Sequence, residues 1–69
     1  MIEFNLEGQE YIELDNLLKL TGLCDSGGMA TIAIAEGQVA VDGQVERRRR
    51  CKLKSGQVVE FSGKTIAIR

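Results

Sequence analysis

The sequence predicts an α+β domain in which two packed helices are followed by a small, mostly antiparallel sheet, with an added N-terminal strand. Three observations carry this expectation. The spacing of apolar residues is close to 3.6 from Leu14 to Gly37 and changes to 2 from Val39 onward. The pairs Asp42-Gly43, Ser55-Gly56 and Ser62-Gly63 punctuate the second half with turns. A separate alternating segment precedes the first helical one.

That segment holds Ile2, Phe4 and Leu6, alternating with Glu3 and Asn5 as in a half-buried strand, and Gly8 marks a turn after it. Leu14, Leu17, Leu18 and Thr21 fall at i, i+3, i+4 and i+7, a narrow helical face that Gly22 is placed to end; the start of this helix is poorly marked. Asp25 or Ser26 caps a second helix with Ala30, Ala33 and Ile34 on one face and Gly37 at its left-handed end. The small alanines favour close packing of the two helices. Val39 and Val41 lead into a hairpin at Asp42-Gly43, and the turns after Lys54 and Phe61 separate Gln57–Phe61 from Lys64–Ile68. Ile66 and Ile68 return to the core.

A chain of 69 residues is expected to form one domain over 1–69 with a single core, burying only about 60% of the surface its unfolded state exposes. Cys24 and Cys51 are expected as free thiols in a reducing cytoplasm, because disulfide-stapled small domains carry more cysteines and Met1-Ile2-Glu3-Phe4 does not open a signal peptide. The longest apolar run, Ile32 to Ala35, is far short of a bilayer span.

Charge is polarised along the chain. Residues 1–46 hold nine acids against Lys19, a net −8, whereas 47–69 hold eight bases against Glu60, a net +7. Such a distribution suits an anionic partner docking on one face.

The stretch 12–61 resembles the alpha-L RNA-binding motif, the domain named after the S-four protein of the small ribosomal subunit. The matching residues are Ile12, Leu14, Asp15, Leu17 and Leu18 for its first helix, then Gly22 and Leu23, and Ser26 and Ala30 opening the second. Glu36-Gly37-Gln38-Val39-Ala40-Val41-Asp42-Gly43 looks like its helix end, strand and turn, and Gly56-Gln57-Val58-Val59 like its closing strand. Short length, the first strand and the segment Arg47 to Lys52 make the chain similar to small stand-alone bacterial members. The resemblance implies a non-enzymatic docking module for structured RNA, of ribosomal or transfer type; in family members fused to pseudouridine synthases or tyrosyl-tRNA synthetases the chemistry lies in another domain. It also implies that the start of the second helix, Ser26 and Gly27, and Lys19 face the RNA. Family members commonly carry a basic residue after that serine and another after the alanine, where this chain has Gly27 and Thr31.

Arg47, Arg48, Arg49, Arg50, Lys52 and Lys54 are the candidate phosphate contacts, since clustered cations release counterions from nucleic acid. Were this segment extended, Val45, Cys51 and Leu53 would pack on one side and Arg48, Arg50, Lys52 and Lys54 would face solvent. Arg47 and Arg49 would then reach around to water or mark a bulge or loop. The other reading of such a run is a merely solvated face. Tyr11, Phe4 and Phe61 are the only aromatics, so shape and phosphate recognition is expected over base stacking. No cofactor, metal or catalytic group is expected: the chain lacks His, and two distant cysteines do not make a zinc site. A protein-interaction adaptor using the same charge polarity is the competing function. A sulfur or ubiquitin-like carrier would need a C-terminal Gly-Gly in place of Ala67-Ile68-Arg69.

Overall fold

The computed structural model describes all residues, Met1–Arg69. In chain order the elements are β1 (Ile2–Phe4), β2 (Ile12–Glu13), α1 (Leu14–Leu20), α2 (Gly27–Ala35), β3 (Val39–Val41), β4 (Gln44–Val45), β5 (Lys52–Leu53), β6 (Val58–Phe61) and β7 (Lys64–Ile68). The architecture is the α+β arrangement expected. Five strands form a sheet in the order β1-β7-β6-β3-β4, antiparallel except where β1 runs parallel to β7, and β2 and β5 make a separate two-stranded ribbon.

The sheet closes the chain on itself. Ile2 lies opposite Ile66 and Phe4 opposite Ile68, the Arg69 N–H donates to the Phe4 carbonyl at 2.8 Å, and the Leu6 N–H donates to the Arg69 carbonyl at 3.0 Å. Two hairpin turns sit where sequence places them. Asp42 and Gly43 (φ 51° and 84°) and Ser62 and Gly63 (φ 53° and 76°) each place two consecutive residues at positive φ, the backbone that a two-residue hairpin requires. The Asp42 carboxylate then accepts from Val58 N at 2.9 Å and Gln57 Nε2 at 3.0 Å, fastening the hairpin tip to β6. Those hydrogen bonds, that from Gln57 foremost, hold its carboxyl below the usual range.

Leu14, Leu17 and Leu18 of α1 meet Ala30 and Ile34 of α2 and Val39, Leu53, Val59, Ile66 and Ile68 of the strands in one core with no buried polar residue. Each large aliphatic side chain buried there contributes roughly 1.5–3 kcal/mol, so truncating Leu17 to Ala is expected to cost about 2–5 kcal/mol, much of what so small a domain has. Ser26 is the α2 cap, its hydroxyl accepting from Met29 N at 3.2 Å. Asp25 stands outside. No helix is long and apolar enough to cross a membrane.

Two departures from the expected pattern reshape the basic segment and its surroundings. Ile12, matched by resemblance to the first helix, lies in β2 opposite Leu53. The segment from Arg47 is extended only at Lys52–Leu53, because the Cys51 N–H donates to the Arg48 carbonyl at 3.1 Å and closes a turn with Arg49 and Arg50 at its tip. Strand alternation therefore does not run through the arginines, in keeping with the loop that the sequence left open at Arg47 and Arg49, and Val45, expected on the packed side, is exposed.

Candidate nucleic-acid interface

The arginine turn is fixed to the helical layer by the backbone. Helix α1 has no side-chain cap, since Glu13 precedes it without bonding to its first N–H groups. The Leu14 N–H donates instead to the Cys51 carbonyl at 3.0 Å and the Asp15 N–H to the Arg49 carbonyl at 2.9 Å. Two of the donors that a helix start leaves open are thus satisfied by the basic segment itself. On the other side of Cys51, β5 continues into its pairing with β2.

This placement divides the candidate cations by what their side chains meet. The Arg47 guanidinium donates to the Ala35 carbonyl at 3.1 Å, at the C-terminal end of α2, and lies so close to Gly37 that a Cβ there would stand 2.8 Å from Nη2. A cation at a helix C-terminus is favoured by the helix dipole. Arg48 grips Glu46 through Nε and Nη2, each at 3.0 Å from one carboxylate oxygen, and its own N–H donates to the same carboxylate. Those hydrogen bonds from Arg48 bring the Glu46 carboxyl down to about 2. Arg49, Arg50, Lys52, Lys54 and Lys19 make no side-chain hydrogen bond or ion pair and are exposed. Lys52 holds its Nζ 4.9 Å from the centre of the Tyr11 ring.

Lys19 lies one helical turn beyond Asp15 on the same side of α1, toward the C-terminal end of the helix. Ser26 and Gly27 are not brought to the arginine turn. Arg47 touches the far end of α2, and nine residues at 1.5 Å each put the two ends about 13 Å apart. Asp25, beside the α2 start, disfavours an anion there.

Both cysteines are free thiols, Cys24 buried and Cys51 half-buried. Burial pushes both thiols up, with Asp25 adding to the effect at Cys24 and Glu46 at Cys51, so neither is a ready thiolate. No three His, Cys, Asp or Glu side chains gather as a metal site would require. One residue that sequence reasoning passed over bears on the site: Glu46, whose position directly before the run was a visible signal.

A family model described as the S4 domain matches residues 4–69. The chain belongs to the S4-domain family. It is 52% identical over 68 residues to YbcJ of Escherichia coli K12, with 99% of this chain and 97% of that one aligned. The solution structure of YbcJ, described as revealing an alpha-L motif involved in RNA binding, superposes with a TM-score of 0.76 at 51% identity, covering 99% of this chain and 86% of that one. A Bacillus subtilis protein named for ribosome maturation, RlbA, is 43% identical over 54 residues, 78% of this chain and 76% of its own. Ribosomal protein S4e of Thermoplasma acidophilum shares the fold, with a TM-score of 0.63 at 24% identity over 83% of this chain and 30% of that one.

Proposed function

We propose that this S4 domain is a non-catalytic, cytoplasmic RNA-docking module whose contact surface centres on the Arg49–Arg50 turn and extends to Lys52, Lys54 and Lys19. The observation that carries the reading is the set of unpaired cations held on a turn that is itself bonded to the α1 N-terminus. A turn whose backbone is already held leaves only the side chains to be ordered on meeting phosphate, and the partner class follows from their chemistry. The RNA binding ascribed to YbcJ and the ribosome maturation for which RlbA is named support structured RNA of the ribosomal class over transfer RNA. Arg47 and Arg48 belong to the segment but act mainly within the chain, and Ser26 and Gly27 form an outlying contact.

Titration of a structured ribosomal RNA fragment at several salt concentrations tests this. With about four phosphates engaged, log K should fall against log salt with a slope of roughly −3 to −4. A slope near zero removes the electrostatic mechanism. A protein-adaptor reading has one observation in its favour, the exposure of Met29 and Ile32 at 52% and 59% on α2. Partners captured equally with and without nuclease would favour it.

A further inference from the structure

Tyr11 is a large side chain that the core does not claim. It is 37% exposed, its hydroxyl makes no hydrogen bond, and its place in the ribbon follows from pairing. Ile12 lies opposite Leu53 and Glu13 opposite Lys52, and Ile12 and Leu53 are both buried. Alternation therefore sets Tyr11, Glu13, Lys52 and Lys54 together on the outer face. Extending the register by one pair brings Tyr11 opposite Lys54, while the Lys52 ammonium stands 4.9 Å from the ring centre. The result is one aromatic ring beside two cations of the neighbouring segment, directly downstream of the arginine turn.

Beside the ring runs a groove of about 340 Å³ walled by Gln9, Tyr11, Ile12, Glu13, Asn16 and Leu20. Lys52 is not among its walls, so the groove lies away from the ammonium. Its polar members are unoccupied: the side-chain amides of Gln9 and Asn16 and the Glu13 carboxylate make no hydrogen bond or ion pair. Apolar wall, open ring and free amides are what a nucleobase needs, with the ring to stack on and the amides to meet its edge.

We infer that the outer face of the β2–β5 ribbon is a nucleotide site, in which an unpaired base of the bound RNA stacks on Tyr11 while Lys52 and Lys54 hold the adjoining phosphates. This rests on the RNA-docking reading above and adds base recognition to it, against the sequence-based expectation of shape and phosphate contacts alone. The Glu13 carboxylate, an acceptor with no proton to donate, favours a base with an exocyclic amino group. Cytosine should therefore bind better than uracil.

The protein has one Tyr and no Trp, so its intrinsic emission reports on Tyr11 alone. An oligocytidylate of about eight nucleotides, within the site size of such surfaces, should quench that emission. Inorganic polyphosphate of similar charge should bind without quenching. Tyr11→Leu should lower oligocytidylate affinity about tenfold while polyphosphate affinity stays as in the wild type, and Tyr11→Phe should retain oligocytidylate binding. Glu13→Gln should narrow the preference for oligocytidylate over oligouridylate. If oligocytidylate binds without quenching and Tyr11→Leu binds it as tightly, the Lys52–Tyr11 pair is a surface contact only and this inference falls, while the basic-surface reading stands. Equal binding of the two homopolymers removes the role of Glu13. If neither they nor structured RNA bind at low salt, both readings fall together. Should Tyr11→Leu not fold, the wild-type emission decides alone.

Discussion

Arg47 and Arg48 engage partners within the chain, the Ala35 carbonyl and the Glu46 carboxylate, whereas Arg49 and Arg50, the next two residues of the same run, engage none with their side chains. The difference comes from position in a turn. Residues 47 and 48 pass alongside the α2 C-terminus and β4, where acceptors are within reach, whereas residues 49 and 50 occupy the tip, bonded to α1 through the Arg49 carbonyl with both side chains left exposed. Four like charges in sequence are thus two kinds of residue in space, the first pair structural and the second available to a partner. Charge counted along a chain measures the potential for binding; the hydrogen bonds already made measure what remains.

The sharpest test of that division removes three of the free cations and leaves the engaged ones. Replacing Arg49, Arg50 and Lys54 together by Ala should lower RNA affinity on the order of a hundredfold at ~0.1 M salt, since each lost phosphate contact takes about 0.7–0.9 from the salt slope. Stability should change by less than about 0.5 kcal/mol in total, as exposed unpaired charges contribute little. Parallel binding titrations and thermal melts check both halves. An equal affinity loss from Arg47→Ala would break the comparison.

Arg47 should show the opposite pattern. Its replacement by Ala is expected to cost about 0.5–1 kcal/mol through the lost contact with the α2 carboxyl end, a fall of several degrees in the melting midpoint for a domain this size. The salt slope for RNA should not move. Gly37→Ala should be worse, at about 1–2 kcal/mol, because φ there is 77° and a side chain at positive φ is strained. The added methyl would also displace the Arg47 guanidinium.

Why the division was hidden in the sequence is a matter of range and punctuation. The hairpins at Asp42-Gly43 and Ser62-Gly63 were legible because local backbone demands local residue types, and the two helices because their apolar spacing is a one-dimensional signal. The turn at Arg48–Cys51 contains no Gly, Pro, Asn or Asp, so nothing interrupts the alternation that an extended reading assumes. The start of α1 was poorly marked for a related reason: the acceptors of its first N–H groups are Arg49 and Cys51 carbonyls far along the chain. The ribbon of β2 and β5, only two residues on each strand, is likewise visible only once the fold brings its halves together. Charge polarity and the family resemblance indicated the region of the candidate surface, but not which cations are free in it.

Glu46→Gln sharpens the comparison by converting an engaged arginine toward a free one. Releasing Arg48 should raise RNA affinity a few-fold and steepen the salt slope by up to about 0.7–0.9. The same variant has a pH signature. A carboxyl held at about 2 by Arg48 stabilises the fold fully above the ordinary glutamate range, and that contribution is lost as pH falls from 4.5 toward 2. Wild type should therefore lose stability across that window more steeply than Glu46→Gln, as acid melts at fixed ionic strength will show.

The smallest effect is expected from Gly27→Arg, which places a cation where S4-family resemblance puts one and this chain has none. The site has room, since a Cβ at Gly27 meets nothing within 4 Å and its φ is not positive. Replacing glycine inside a helix gains up to about 1 kcal/mol and less at the first turn, while a cation near the N-terminus costs roughly 0.3–1 kcal/mol, so stability should stay nearly level. One new phosphate contact would steepen the slope by about 0.7–0.9. Because Gly27 opens α2 and Arg47 touches its other end, about 13 Å along the helix, the gain depends on whether one RNA spans both ends of the helix. Paired titrations of wild type and variant give the answer. A steeper slope and higher affinity would extend the docking surface along α2, and an unchanged slope in a folded variant would confine it to the turn, the β2–β5 ribbon and Lys19.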